Sequence, residues 1–183
     1  MCGIVGFHAV SEFDSLQNDI EGAISSLMHR GPNDTGCYTD TLHKAGLGHR
    51  RLSIIDISRS GHQPMESEDG QFIIVYNGEI YNFQQLQRQL KNRGYNFKSG
   101  SDTEVVLKAY MEWGSKCLEK LTGMFALAIW DRSKQQIFLA RDRLGIKPLY
   151  YYYNAGKFIF ASELKALMAF RSFPKEINPT ALP

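Results

Sequence analysis

Short runs rich in β-branched and aromatic residues recur along the chain at 3–10, 45–49, 72–76, 125–130, 136–140, 149–153 and 158–161, and this feature constrains the fold most. Each run is of strand length and is bounded by polar or turn-forming residues. Helical spacing of apolar residues is confined to three places. Leu16, Ile20, Ala23, Ile24, Leu27 and Met28 form the first, with Asp14 and Gln17 placed to cap it. Phe83, Leu86 and Leu90 follow Asn82, and Val106, Ala109, Tyr110 and Trp113 follow Ser101. Many short strands and few helices predict an α+β chain of antiparallel sheets covered by helices. The first strand begins at the second residue, so the N-terminus should be held in a sheet.

The chain has 183 residues, 43% of them hydrophobic, enough for one ordinary domain. Its 21 Lys and Arg against 19 Asp and Glu leave a formal charge of +2. The signs are interspersed, so neither nucleic acid nor a membrane surface is an expected partner. The three cysteines, Cys2, Cys37 and Cys117, lie far apart without a Cys-x-x-Cys pair, which suggests neither a disulfide framework nor a metal site. No apolar run approaches the ~20 residues of a membrane span, and no signal segment is visible. A cytoplasmic location is the expectation. The prolines of FPKEINPTALP give residues 171–183 the look of a linker after a domain at 2–170.

Met1-Cys2-Gly3 reads as an N-terminal nucleophile once Met1 is removed, because thiol and α-amine then share one residue. Unperturbed, these groups titrate near ~8.5 and ~7.7–8.0, so a proton passes between them at little cost near neutrality. The alternative is a small buried residue at the head of the first strand. Asn77-Gly78 closes the run FIIVY and offers a side-chain NH₂ and a backbone N–H, an oxyanion hole in outline; it also reads as a hairpin turn. Arg51 carries the planar fork that suits a carboxylate, and Asp102 suits an ammonium group. A surface ion pair for Arg51, and a capping role for Asp102 in Ser101-Asp102-Thr103-Glu104, are the competing readings.

Four separated segments, MCGIVGF, HRGPNDTG, HRRLSIID and YNGEIYN, together resemble the class II glutamine amidotransferases. The resemblance is closest to the N-terminal glutaminase domain of glutamine-hydrolysing asparagine synthetases. It continues through GSDTEV, GMFALAIWD, RDRLGIKPLYY and ASELKAL.

The resemblance implies a four-layer αββα sandwich of the N-terminal nucleophile hydrolase type. It makes Cys2 the nucleophile with its own amine as base, and Asn77 with the Gly78 N–H the oxyanion hole. Arg51, not Arg50, would grip the α-carboxylate of L-glutamine, and Asp102 with help from Glu79 would hold the α-ammonium. Backbone near Ile54 and Ile55 would line the pocket. His29 in the HRGP loop receives no catalytic step, and the charges of residues 141–148 are expected in structural ion pairs. No metal or cofactor is expected in this domain; ATP and magnesium belong to an amide-forming synthetase domain or subunit that would receive the ammonia. Ser99-Gly100-Ser101-Asp102 lacks the second glycine of a pyrophosphate loop. A homodimer is compatible with the sequence. Competing functions are a non-catalytic glutamine-binding module, an acylase acting on another amide, and a glutaminase serving another acceptor such as a polysaccharide precursor.

Overall fold

The structure, a computed structural model, describes residues 1–10, 16–53 and 59–176. Two antiparallel sheets carry the strands. One has the order β2-β3-β1-β9-β8, built from Asp34–Asp40 (β2), Ala45–Arg51 (β3), Gly3–Ala9 (β1), Lys157–Ala161 (β9) and Tyr150–Asn154 (β8). The other has the order β4-β5-β6-β7, from Met65–Glu66 (β4), Phe72–Ile80 (β5), Gly123–Asp131 (β6) and Gln136–Arg141 (β7). Helices α1 (Leu16–Ser26) and α4 (Leu164–Leu167) accompany the first sheet; α2 (Phe83–Lys91) and α3 (Asp102–Trp113) accompany the second.

Three separate apolar clusters show the layering. Ile4, Leu47, Ile73, Val75, Ala126, Ala128, Trp130 and Phe160 pack between the sheets. Their strand neighbours Val5 and Phe7 turn outward onto Ile20 and Ile24 of α1. Ile74, Leu127 and Ile129 turn outward onto Leu86 and Leu90 of α2 and Val105 and Val106 of α3. Central strands are therefore covered on both faces, which is why FIIVY and FALAIW are continuously apolar rather than alternating. The result is a four-layer αββα sandwich.

Several sequence expectations change. β2, of sequence DTGCYTD, is an edge strand with an alternating burial pattern and little apolar content to reveal it. β5 runs on through Asn77-Gly78 to Ile80, paired Asn77 to Ala126 and Gly78 to Phe125, so this dipeptide is strand and not a turn. A Cβ on Gly78 would stand 2.5 Å from the Met124 carbonyl oxygen and 2.8 Å from Phe125 Cα, so close strand approach demands glycine here. Asn82 does not cap α2 with its side chain. Its amide instead bridges Thr122 N (3.0 Å) and the Lys120 carbonyl (2.9 Å), tying the end of β5 to the approach to β6. The proposed Asp14 to Gln17 cap falls outside the described residues.

Candidate active site

The inter-sheet layer ends in a pocket of about 110 Å³. Strand parity delivers its side chains. Cys2 continues the inward set of Ile4, Arg51 that of Ala45 and Leu47, Asn77 that of Ile73 and Val75, and Met124 that of Ala126 and Ala128. Cys2, Arg51, Asn77, Gly78, Glu79 and Asp102 all line this one pocket. Ile54 and Ile55 lie outside the described residues.

The Cys2 sulfur faces the Leu52 peptide. The Leu52 N–H donates to Sγ at 3.4 Å, and Sγ lies 3.6 Å from the Leu52 carbonyl oxygen. Arg30 Nε donates to the Cys2 carbonyl at 2.9 Å, and Arg30 Nη1 pairs with Glu163 at 2.9 Å. His29 Nε2 is also hydrogen-bonded to Glu163, at 2.9 Å. Burial alone would raise the Glu163 carboxyl; hydrogen bonds from Arg30, His29 and Lys165 hold it down at about 2. Sequence reasoning gave no role to this clamp, which braces the backbone of residue 2. Cys117 is buried, and burial pushes its thiol up to about 11.

Asn77 is buried, at 2% exposure, and its Nδ2 has no hydrogen-bond partner among the described residues. A buried donor left unpaired costs about 1–3 kcal/mol, which an acceptor oxygen entering the pocket would recover. Arg51 is also buried, and a Cβ on Gly61 would overlap its guanidinium, so glycine makes the space that the arginine occupies. Arg50, by contrast, points to the Gly31 carbonyl (3.1 Å) and does not line the pocket.

Asp102, at 4% exposure, opens α3. Ser101 caps the helix by accepting from Thr103 N at 3.1 Å, which frees Asp102 from that duty. The capping box is nevertheless not reciprocal. Glu104 binds the Lys98 and Ser99 amides (3.0 and 2.7 Å) instead of reaching back to Ser101. The Ser99 amide is thereby spent on a carboxylate, which removes a donor that a phosphate cradle would need. Asp102 Oδ2 accepts from Tyr76 Oη at 2.8 Å and from Ile80 N at 3.0 Å. Burial raises the Asp102 carboxyl above its ordinary value, against the pull of these hydrogen bonds.

Residues the sequence did not single out also reach the pocket. Gln63 accepts from Tyr76 N at 2.6 Å and donates to Thr103 Oγ1 at 3.1 Å, joining β5 to α3. Lys147, at 7% exposure, comes from the 141–148 segment whose charges were expected in ion pairs. Asp142 in that segment instead accepts from the amides of Phe125, Ile146 and Lys147, and Arg141 donates to the Lys147 carbonyl (2.6 Å). These backbone clamps hang the turn from β6 beside Gly78. Among the described residues no group of three or more His, Cys, Asp or Glu gathers as for a metal ion. No described helix is long and apolar enough to cross a membrane.

Two antiparallel sheets face to face, helices outside, and a cysteine at the head of the central strand opening onto the inter-sheet pocket define the class: the fold of the N-terminal nucleophile hydrolases. The family follows from comparison with known proteins. The model of the glutamine amidotransferase domain matches residues 1–183, and the chain belongs to that family. Among similar proteins, a putative glutamine-hydrolysing asparagine synthetase 2 of Methanocaldococcus jannaschii is 40% identical over 97% of this chain and 37% of its own length. Glutamine-hydrolysing asparagine synthetase 1 of Bacillus subtilis is 42% identical over 92% of this chain and 27% of its own. The amidase chry2 of Gibberella zeae is 38% identical over 96% and 27%. The chain thus spans well under half the length of these relatives. In fold it is similar to the glutamine phosphoribosylpyrophosphate amidotransferase from B. subtilis complexed with ADP and GMP. The TM-score is 0.75 at 24% identity, over 92% of this chain and 43% of that one.

Proposed function

We propose that this chain hydrolyses the side-chain amide of L-glutamine to glutamate and ammonia, with Cys2 as nucleophile. The observation that carries the reading is the unpaired, buried Asn77 Nδ2 in the same pocket as the Cys2 sulfur. A donor stranded in this way suits an oxygen that becomes negatively charged during reaction.

Met1 lines the pocket, so its removal widens the cavity and frees the α-amine of Cys2. That amine takes the thiol proton, and the thiolate attacks the amide carbon of glutamine. The carbonyl oxygen becomes an oxyanion facing Asn77 Nδ2 and the Gly78 N–H. The ammonium of Cys2 returns its proton to the leaving nitrogen; the C–N bond breaks and ammonia departs, leaving a γ-glutamyl thioester. Water then attacks the thioester with the same amine as base, giving glutamate and restoring the thiol. Arg51 receives the α-carboxylate, while Asp102 and Glu79 receive the α-ammonium. Glu79 is exposed at the pocket's mouth, which suits it to a secondary part.

Residues 2–170 form the glutaminase unit in this reading, and the ammonia passes to an amide-forming synthetase of the asparagine synthetase type. ATP and magnesium act there. The similarity to relatives named as glutamine-hydrolysing asparagine synthetases supports this acceptor, while similarity to a fungal amidase keeps other acceptors in view. Cytoplasmic action fits a free thiol as nucleophile. Cys2→Ala should abolish ammonia release from glutamine in a chain whose mass shows Met1 removed; ammonia release at the unsubstituted rate would overturn the assignment. A non-catalytic glutamine-binding module would instead retain Met1 and bind glutamine without turnover.

A further inference from the structure

We infer that Tyr76 is a positioning residue that aims the Asp102 carboxylate at the α-ammonium group of the amide substrate. The inference rests on the reading of the pocket as a glutamine site and adds to it the group that sets selectivity for a free amino acid.

Asp102 is a buried anion that receives neutral donors and no ion pair among the described residues. A carboxylate at 4% exposure facing a pocket in this state lacks the cation that would offset its desolvation, and an ammonium from a ligand supplies one. What keeps the carboxylate in place is the pair of donors converging on Oδ2, the Tyr76 hydroxyl and the Ile80 amide.

Tyr76 is itself held at both backbone polar groups. β4 is two residues long and begins too late to pair with this part of β5: Met65 and Glu66 lie opposite Ile74 and Ile73. Side chains finish the edge instead. Gln63 Oε1 accepts from Tyr76 N at 2.6 Å, and His49 Nε2 donates to the Tyr76 carbonyl at 3.1 Å. Gln63 also holds Thr103, the residue after Asp102, so one amide sets the spacing between the phenol and its acceptor. The tyrosine ring is packed in the cluster beneath α2 and α3 at 3% exposure, which limits the rotamers open to its hydroxyl.

Tyr76→Phe removes the hydroxyl and keeps the ring. L-glutamate and glutarate differ only in the α-ammonium, so their dissociation constants, measured by calorimetry on the full chain, separate aiming of Asp102 from general damage. The expected result is a roughly tenfold weaker L-glutamate affinity, the scale of one lost hydrogen bond to a charged group, with glutarate changed less than about twofold. In an Asp102→Asn background the same substitution should then shift L-glutamate binding less than about twofold. Equal weakening of both ligands, no weakening of either, or a full effect in the Asp102→Asn background would overturn the proposal. A chain that binds these ligands as expected yet releases no ammonia from glutamine would sink the hydrolytic reading alone.

Discussion

Cys2 depends on neighbours that hold it by its backbone as much as by its sulfur. The Arg30 guanidinium fixes its carbonyl, Glu163 fixes Arg30, and the Leu52 N–H meets the sulfur, so the proposed nucleophile would be placed before any substrate arrives. Asn77 sits opposite with an unspent donor. Asn77→Ala should lower kcat by ~10²–10³ with little change in KM, the cost of one oxyanion donor, as read by steady-state ammonia release. A loss confined to KM would place Asn77 in ground-state binding instead. The chemical identities of these residues were legible from sequence motifs, but their company was not. Tyr76 and Lys147 lie inside YNGEIYN and RDRLGIKPLYY but drew no role there, and Gln63 lies in none of those segments; the pairing of β5 with β6, the clamp on Asp142 and the bonds of Gln63 to Tyr76 and Thr103 bring them to the pocket.

β3 and β5 belong to different sheets, and His49 is the polar tie between them. Its ring is fully buried in the inter-sheet layer. Because a carbonyl only accepts, the proton on Nε2 is donated to Tyr76 O, and Nδ1 has no hydrogen-bond partner among the described residues. Burial pushes the ring's pKa down to about 3 from an ordinary 6.5. The unfolded chain therefore takes up a proton below pH 6.5 that the native chain refuses until about 3, and stability is lost as pH falls through that window. The slope from this residue reaches ~1.4 kcal/mol per pH unit. His49→Gln keeps a donor for the Tyr76 carbonyl and loses the titration. Its unfolding free energy, measured by denaturant titration from pH 7 to 4.5, should fall less steeply than that of the natural chain; parallel curves would show that His49 does not carry this dependence. Sequence patterning found most of β1, β3, β5 and β6 because their runs are apolar. It could not assign inner and outer faces, since strands covered on both sides show no alternation, and the turn-forming habit of Asn-Gly kept a hairpin as the competing reading at Asn77-Gly78, which the strand pairing removes. The short β4 and polar β2 stayed hidden for want of apolar content.

At the scale of the whole molecule, the pocket lies where the inward-facing residues of β1, β3 and β5 reach one end of a shared core, at Cys2, Arg51 and Asn77. The four-layer order was implied by family resemblance and not by periodicity, because the pairing of β1 with β3 and β9 joins segments distant in sequence. In the proposed function this arrangement makes a terminal cysteine the carrier of the γ-glutamyl group. The most direct measurement is the mass of the N-terminal peptide from chain quenched during turnover of L-glutamine. The expected peptide begins at Cys2 and carries one glutamyl group, removable by hydroxylamine and absent in Cys2→Ala. Glutamine hydrolysis that proceeds in a chain retaining Met1, with no adduct on that peptide, would contradict it.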